Sequence, residues 1–173
     1  MAPLAALVLV TTLAGPACPV ERADYRLRGA PGTTLHFIAR DTPGWPSNLL
    51  ARLDLAATGR SYWWLPWNGG SDGRQHLASV RPADRPGWSP PAPDDGQGRP
   101  LGDIDYLATD ADYDVLDHVP VRGEPAPAHI LLPDLDEALW YRNGAEPRDH
   151  APRQFFDLMS CHPMEGGVDV PGA

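Results

Sequence analysis

Hydrophobic residues recur at alternate positions along most of the chain, in short runs separated by turn residues. In TTLHFIAR, residues 33–40, Leu35, Phe37 and Ala39 alternate with His36, Ile38 and Arg40, which predicts a strand with one cleanly apolar face. LLARLDLA at 49–56 alternates more sharply, with Leu49, Ala51, Leu53 and Leu55 on one side and Arg52 and Asp54 on the other. One face of that strand is wet. RSYWWLPW at 60–67, then NGGSDG, then RQHLASVR at 74–81 reads as a hairpin whose turn residues accept positive φ. GDIDYLATD at 102–110 and AHILL at 128–132 read as two more strands. RQFFDLMSC at 153–161 reads as a final strand rather than a short helix, because Phe155, Phe156 and Met159 lack helical spacing.

One segment carries helix signals. In LPDLDEALWYRNG, Asp134 stands at the N-cap position, Glu137 three residues on supplies the reciprocal cap, and Asn143-Gly144 ends a helix over 134–142. From Arg81 to Pro100, six prolines in twenty residues remove donors and fix φ. That stretch is a long surface loop with Trp88 in its middle. The pattern predicts a mainly β, single-domain, antiparallel sandwich-like fold with one short helix and a long Pro-rich loop.

The N-terminus departs from alternation. LAALVLVTTLA at 4–14 is an eleven-residue apolar run, too short to span a bilayer and of the length of a signal-peptide core, and Gly15-Pro16-Ala17 follows with small residues. Residues 1–17 thus read as a signal peptide cleaved before Cys18, and 18–173 as a single β-rich domain that is secreted or periplasmic. A lipid anchor at Cys18 is the weaker alternative, since Gly-Pro-Ala before it departs from the Leu-small-small pattern of lipoprotein sites. Cys18 and Cys161 are the only cysteines. In an oxidising compartment they pair as one disulfide; the competing reading leaves Cys161 as a buried thiol.

Charge narrows the partners. A formal net charge of −9 repels phosphate backbones, which argues against nucleic acid, and all 14 basic residues are Arg, which removes lysine chemistry.

The candidate chemistry rests on two stretches. In a strand over 60–67, Trp63, Leu65 and Trp67 share one face, and Tyr62, Trp64 and Pro66 the other. Either the strand is buried on both faces, with the 82–100 loop as a lid, or Tyr62, Trp64, Trp67 and Trp88 form an exposed aromatic platform for an extracytoplasmic glycan or protein. The second stretch, residues 103–117, holds six Asp and no basic residue. Asp110, Asp112 and Asp114 have the spacing of the first three ligands of a Ca2+ loop, yet Val115 and Val121 occupy the positions where an EF-hand needs Gly and Glu. What is left is a looser Ca2+ site or a solvated turn. The six histidines show no zinc spacing, and Gly-x-Ser-x-Gly is absent.

These residues favour an exported, non-catalytic binding or interaction domain, with carbohydrate at an aromatic face as one ligand class. The alternatives are a small secreted hydrolase using acidic residues, with or without calcium, and a structural protein without ligand.

Overall fold

The runs at 33–40, 49–56, 60–67, 74–81, 128–132 and 153–161 each become a strand, with ends one or two residues from those expected, whereas the run at 102–110 divides into two. The structure, a computed structural model, describes residues 17–69, 74–84, 87–93 and 95–162. Its strands are β1 (Ala23–Leu27), β2 (Thr33–Ala39), β3 (Leu49–Leu55), β4 (Arg60–Asn68), β5 (Gln75–Val80), β6 (Asp103–Asp105), β7 (Leu107–Thr109), β8 (Val115–Leu116), β9 (His129–Leu131) and β10 (Phe155–Cys161). All join one antiparallel sheet in the order β6-β5-β4-β3-β2-β1-β10-β9-β7-β8.

A two-sheet sandwich is therefore replaced by a single curled sheet, a half-barrel, and residues 103–109 supply the reason. β6 pairs with β5 at one end of the sheet, while β7 pairs with β9 near the other end, and only Tyr106 separates them. A single residue spans less than 4 Å of chain, so the two ends must approach each other. The Tyr106 N–H donates to the carbonyl of Gln75 on β5 at 2.9 Å, which holds the junction against the first end.

Alternation then assigns the two faces. Tyr25, Leu27, Leu35, Phe37, Leu53, Trp64, Leu77, Ile104, Ile130 and Phe156 belong to one continuous buried core inside the curl. A second cluster of Trp45, Leu50, Trp63, Leu65, Ala78, Val80 and Ala83 lies on the outer face of β3–β5. The Pro-rich loop covers it: Trp45 Nε1 donates to the Pro91 carbonyl at 2.9 Å, and the Arg40 guanidinium sits 4.9 Å from the Trp88 ring while donating to the Ala83 carbonyl at 2.9 Å.

The helix falls where expected but differs in form. Helix α1 (Leu135–Glu137) runs directly into a π-helical turn, Ala138–Arg142. Asp134 makes no side-chain cap; its carboxylate accepts from the Asp105 N–H at 3.2 Å, and Glu137 is met by Arg142 at 2.8 Å. Asp105 of β6 has taken the first capping group, and Arg142 of the same helical segment the second.

Cys18 and Cys161 form a disulfide, with Cα atoms 5.8 Å apart. With its sulfur so engaged, Cys18 has no thiol for a lipid anchor. Residues 1–16, nearly all of the expected signal segment, lie outside the described residues. No helix among the described residues is long and apolar enough to cross a membrane.

Candidate functional site

The four aromatic residues singled out in the sequence do not share a surface. Trp64 is fully buried in the inner core, 6.1 Å from the partly buried Tyr62 ring. Trp67 points to the outer face, edge-on to Trp45 at 6.4 Å and under the Arg99 guanidinium at 5.2 Å. Trp88 is a partly buried member of the same outer cluster. The strand is thus packed on both faces, and the loop that brings Trp88 closes the outer face rather than extending a platform.

Tyr62 keeps a polar role. Its hydroxyl donates to the buried carboxylate of Asp149, which also receives Thr58 at 2.6 Å and Arg60 at 3.0 Å, while Asn143 donates to the Tyr62 oxygen at 2.5 Å. Burial pushes the Asp149 carboxyl up, but the bonds from Thr58, Tyr62 and Arg60 outweigh it and hold the group below the ordinary value. Burial, reinforced by Asp149, raises the Tyr62 phenol. A cavity of about 180 Å³ opens beside this hub between Tyr62, Trp63, Val80, Pro82, Leu101 and Asn143.

The Asp array builds a turn. Asp110 Oδ1 accepts from the N–H groups of Asp112 at 2.9 Å and Asp114 at 3.0 Å, closing the β7–β8 hairpin, and Tyr113 takes φ 66° within it. Asp112 and Asp114 are exposed. Among the described residues no three His, Cys, Asp or Glu side chains converge in a group fit to hold a metal ion.

A different site emerges from strand register. Residues directly opposite one another on neighbouring strands share a face. Ser160 of β10 pairs with Asp24 of β1, Asp24 with His36 of β2, His36 with Arg52 of β3, Arg52 with Trp63 of β4, and Trp63 with Val80 of β5. One polar-to-aromatic row therefore crosses the outer face of six strands. Its polar end lines an open groove of about 640 Å³ bounded by Arg22, Asp24, His36, Arg52, Asp54 and His162.

The groups in this groove hold one another in place. His36 Nδ1 lies 2.8 Å from Asp24 Oδ1, and Asp24 Oδ2 meets His162 Nε2 at 2.5 Å and accepts from Ser160 at 2.8 Å. Arg52 donates to Asp54 at 2.9 Å and to Ser61 at 3.3 Å, and stacks over Trp63 at 5.3 Å. Burial pushes the Asp24 carboxyl up, yet the Ser160 bond and the charges of His36 and His162 bring it below its ordinary value. The result is a fixed carboxylate flanked by donors. The disulfide stands at the same end of the barrel, since Cys161 lies between Ser160 and His162.

A second His–carboxylate group lies further along the sheet. Arg28 grips Asp157 with two bonds, at 2.7 and 3.0 Å, His129 Nδ1 reaches the same carboxylate at 2.7 Å, and Tyr113 stacks on His129 at 4.3 Å. The Arg28 bonds hold the Asp157 carboxyl below its ordinary value; burial opposes them, and His129 assists.

Spacing along the chain does not reveal the groove. Asp24, His36, Arg52 and His162 come from four separate segments, and only the pairing register brings them together. The usable signal was the polar alternate position in each strand. No protein-family model matches the chain, and comparisons with curated proteins and with solved structures give no match.

Proposed function

We propose that this chain is an exported, non-catalytic binding or interaction domain that engages a polar ligand through the outer-face groove around Asp24, His36, Arg52 and His162. The observation that carries the reading is the register-aligned row: charged and imidazole side chains from four segments, held by hydrogen bonds and ion pairs, line one open groove. Such fixed donors and acceptors beside apolar surface suit recognition. Export is supported by the apolar run at 4–14 and by the disulfide, which persists in oxidising compartments.

Two measurements test the proposal. Expression of residues 1–173 in a bacterial host should yield, outside the cytoplasm, a mature chain beginning at Cys18. Amide NMR of that chain against pooled oligosaccharides and short peptides should then move the signals of Asp24, His36 and His162 together, and Arg52→Ala should abolish the shifts. Retention in the cytoplasm, or shifts confined to residues outside the groove, contradicts the reading.

The hydrolase alternative draws on one contact chain: Asp24 Oδ1 to His36 Nδ1 at 2.8 Å, and His36 Nε2 to the Thr34 hydroxyl at 3.2 Å. This is the connectivity of a carboxylate, an imidazole and a nucleophilic hydroxyl. Turnover of p-nitrophenyl acetate that disappears in both Thr34→Val and His36→Gln would establish it against the binding reading.

A further inference from the structure

The π-helical turn carries two consecutive aromatic residues with large exposed areas. Trp140 is 41% exposed and Tyr141 75% exposed, although the residues just before them, Ala138 and Leu139, are fully buried. With Asp136 and His150, the two rings line an open hollow of about 510 Å³.

The polar groups of the hollow are already arranged. Asp136 Oδ1 meets His150 Nδ1 at 2.6 Å and accepts from the Ala151 N–H at 3.0 Å, which fixes the carboxylate at the edge of the rings. Arg148 donates to the Trp140 carbonyl at 2.9 Å and holds its guanidinium 5.7 Å from the Trp140 ring centre.

We propose that this hollow binds a neutral saccharide ring, stacked on Trp140 and Tyr141 and hydrogen-bonded at its hydroxyls by Asp136 and His150. The proposal rests on the reading of the chain as a binding domain and names its ligand class at a second place. Two chemistries suit exposed aromatics beside a carboxylate: a hydroxylated ring, whose C–H face packs on the ring plane, and a cation held by the π-face. Here the cation is disfavoured. The Arg148 guanidinium already stands 5.7 Å from the Trp140 ring centre, where it repels a second cation. A neutral ring faces no charge opposition and finds both a donor and an acceptor at the rim.

The test is the indole N–H signal of Trp140 in the full mature chain, followed during titration with linear glucose and N-acetylglucosamine tetrasaccharides, with choline as the cationic control. At least one tetrasaccharide should shift the signal in the millimolar range or below. Tyr141→Ala should weaken that affinity by more than about tenfold. Trp140→Ala, read on the His150 signals, should do the same, while Trp140→Phe retains part of it and Arg52→Ala in the groove leaves it unchanged. A shift by choline alone overturns the saccharide assignment, as does silence of Trp140 towards every tetrasaccharide. Saccharide shifts that vanish with Arg52→Ala but survive Trp140→Ala overturn this site and leave the groove reading standing. An unchanged unfolding midpoint in each variant separates loss of binding from loss of fold.

Discussion

The Tyr62 hydroxyl donates to the carboxylate of Asp149 across 87 residues of sequence, and this contact fastens the segment after the π-helical turn to the start of β4. Arg60 strengthens the clasp by donating to Asp149 at 3.0 Å and to the carbonyls of Glu146 and Pro147 at 3.0 and 2.6 Å. Asp149 is a buried charge with its partners in place. Removing it leaves Thr58, Tyr62 and Arg60 donors without their acceptor, so Asp149→Ala should cost about 3 kcal/mol in urea unfolding, and Tyr62→Phe only about 1 kcal/mol.

The same carboxylate gives the fold an acid limit. Asp24, Asp149 and Asp157 all have folded values below the ordinary 3.8. Their contribution is complete above the unfolded value and is lost as pH falls through the folded ones. Unfolding free energy should therefore be flat above about pH 5 as far as these groups are concerned, and should decline below about pH 4. Asp157→Asn should make that decline shallower, as measured by urea titrations at stepped pH.

At alkaline pH the tyrosines take over. Burial raises the phenols of Tyr25, Tyr62 and Tyr106 above the ordinary 10.0, and Asp149 adds to the shift at Tyr62. These groups bind protons more tightly in the folded chain than in the unfolded one, so stability should fall as pH rises above about 10. Absorbance at the phenolate band should show three of the five tyrosines ionising only as the chain unfolds.

Much of this architecture was legible from alternation, because a half-buried strand must place one apolar side chain every second residue. The runs at 33–40, 49–56 and 60–67 show it plainly. The curl was hidden, since it depends on Tyr106 dividing one run between partners at opposite ends of the sheet, and nothing in GDIDYLATD marks the break. Asp134 misled for a related reason: its side chain suits an N-cap, yet the Asp105 N–H of a distant strand claims it. The groove escaped notice because register, which places Asp24, His36 and Arg52 side by side, is set by long-range pairing. The exposed pair Trp140-Tyr141 carries no spacing signal of its own in the sequence, and only the fold shows that both rings are left at the surface.

The disulfide joins residues separated by 143 positions, so it restricts nearly the whole unfolded domain. Replacing both cysteines by serine should lower the unfolding free energy by about 2–5 kcal/mol. The fold should survive the change, because Val20 N–H still donates to the Glu124 carbonyl at 2.9 Å and β1 still pairs with β10. Circular dichroism and urea unfolding of Cys18→Ser/Cys161→Ser check both statements.

The Asp110 carboxylate braces the β7–β8 turn by accepting from the Asp112 and Asp114 N–H groups. Asp110→Ala should cost about 1 kcal/mol, whereas Asp112→Ala, which removes an exposed side chain, should change stability by less than about 0.5 kcal/mol. Millimolar calcium should leave the unfolding midpoint of the wild type unchanged; a rise that Asp112→Ala or Asp114→Ala abolishes would restore the metal reading.

RSYWWLPW is packed on both faces, with Trp64 in the inner core and Trp63 and Leu65 in the outer cluster. Acrylamide quenching of tryptophan fluorescence in the mature chain tests it most directly, with Trp64→Phe and Trp140→Phe measured beside the wild type. Trp64 is 0% exposed and Trp140 41%, so the quenchable fraction should drop with Trp140→Phe and stay the same or rise with Trp64→Phe. Strong quenching that disappears with Trp64→Phe would place the 60–67 aromatics at the surface and contradict the account.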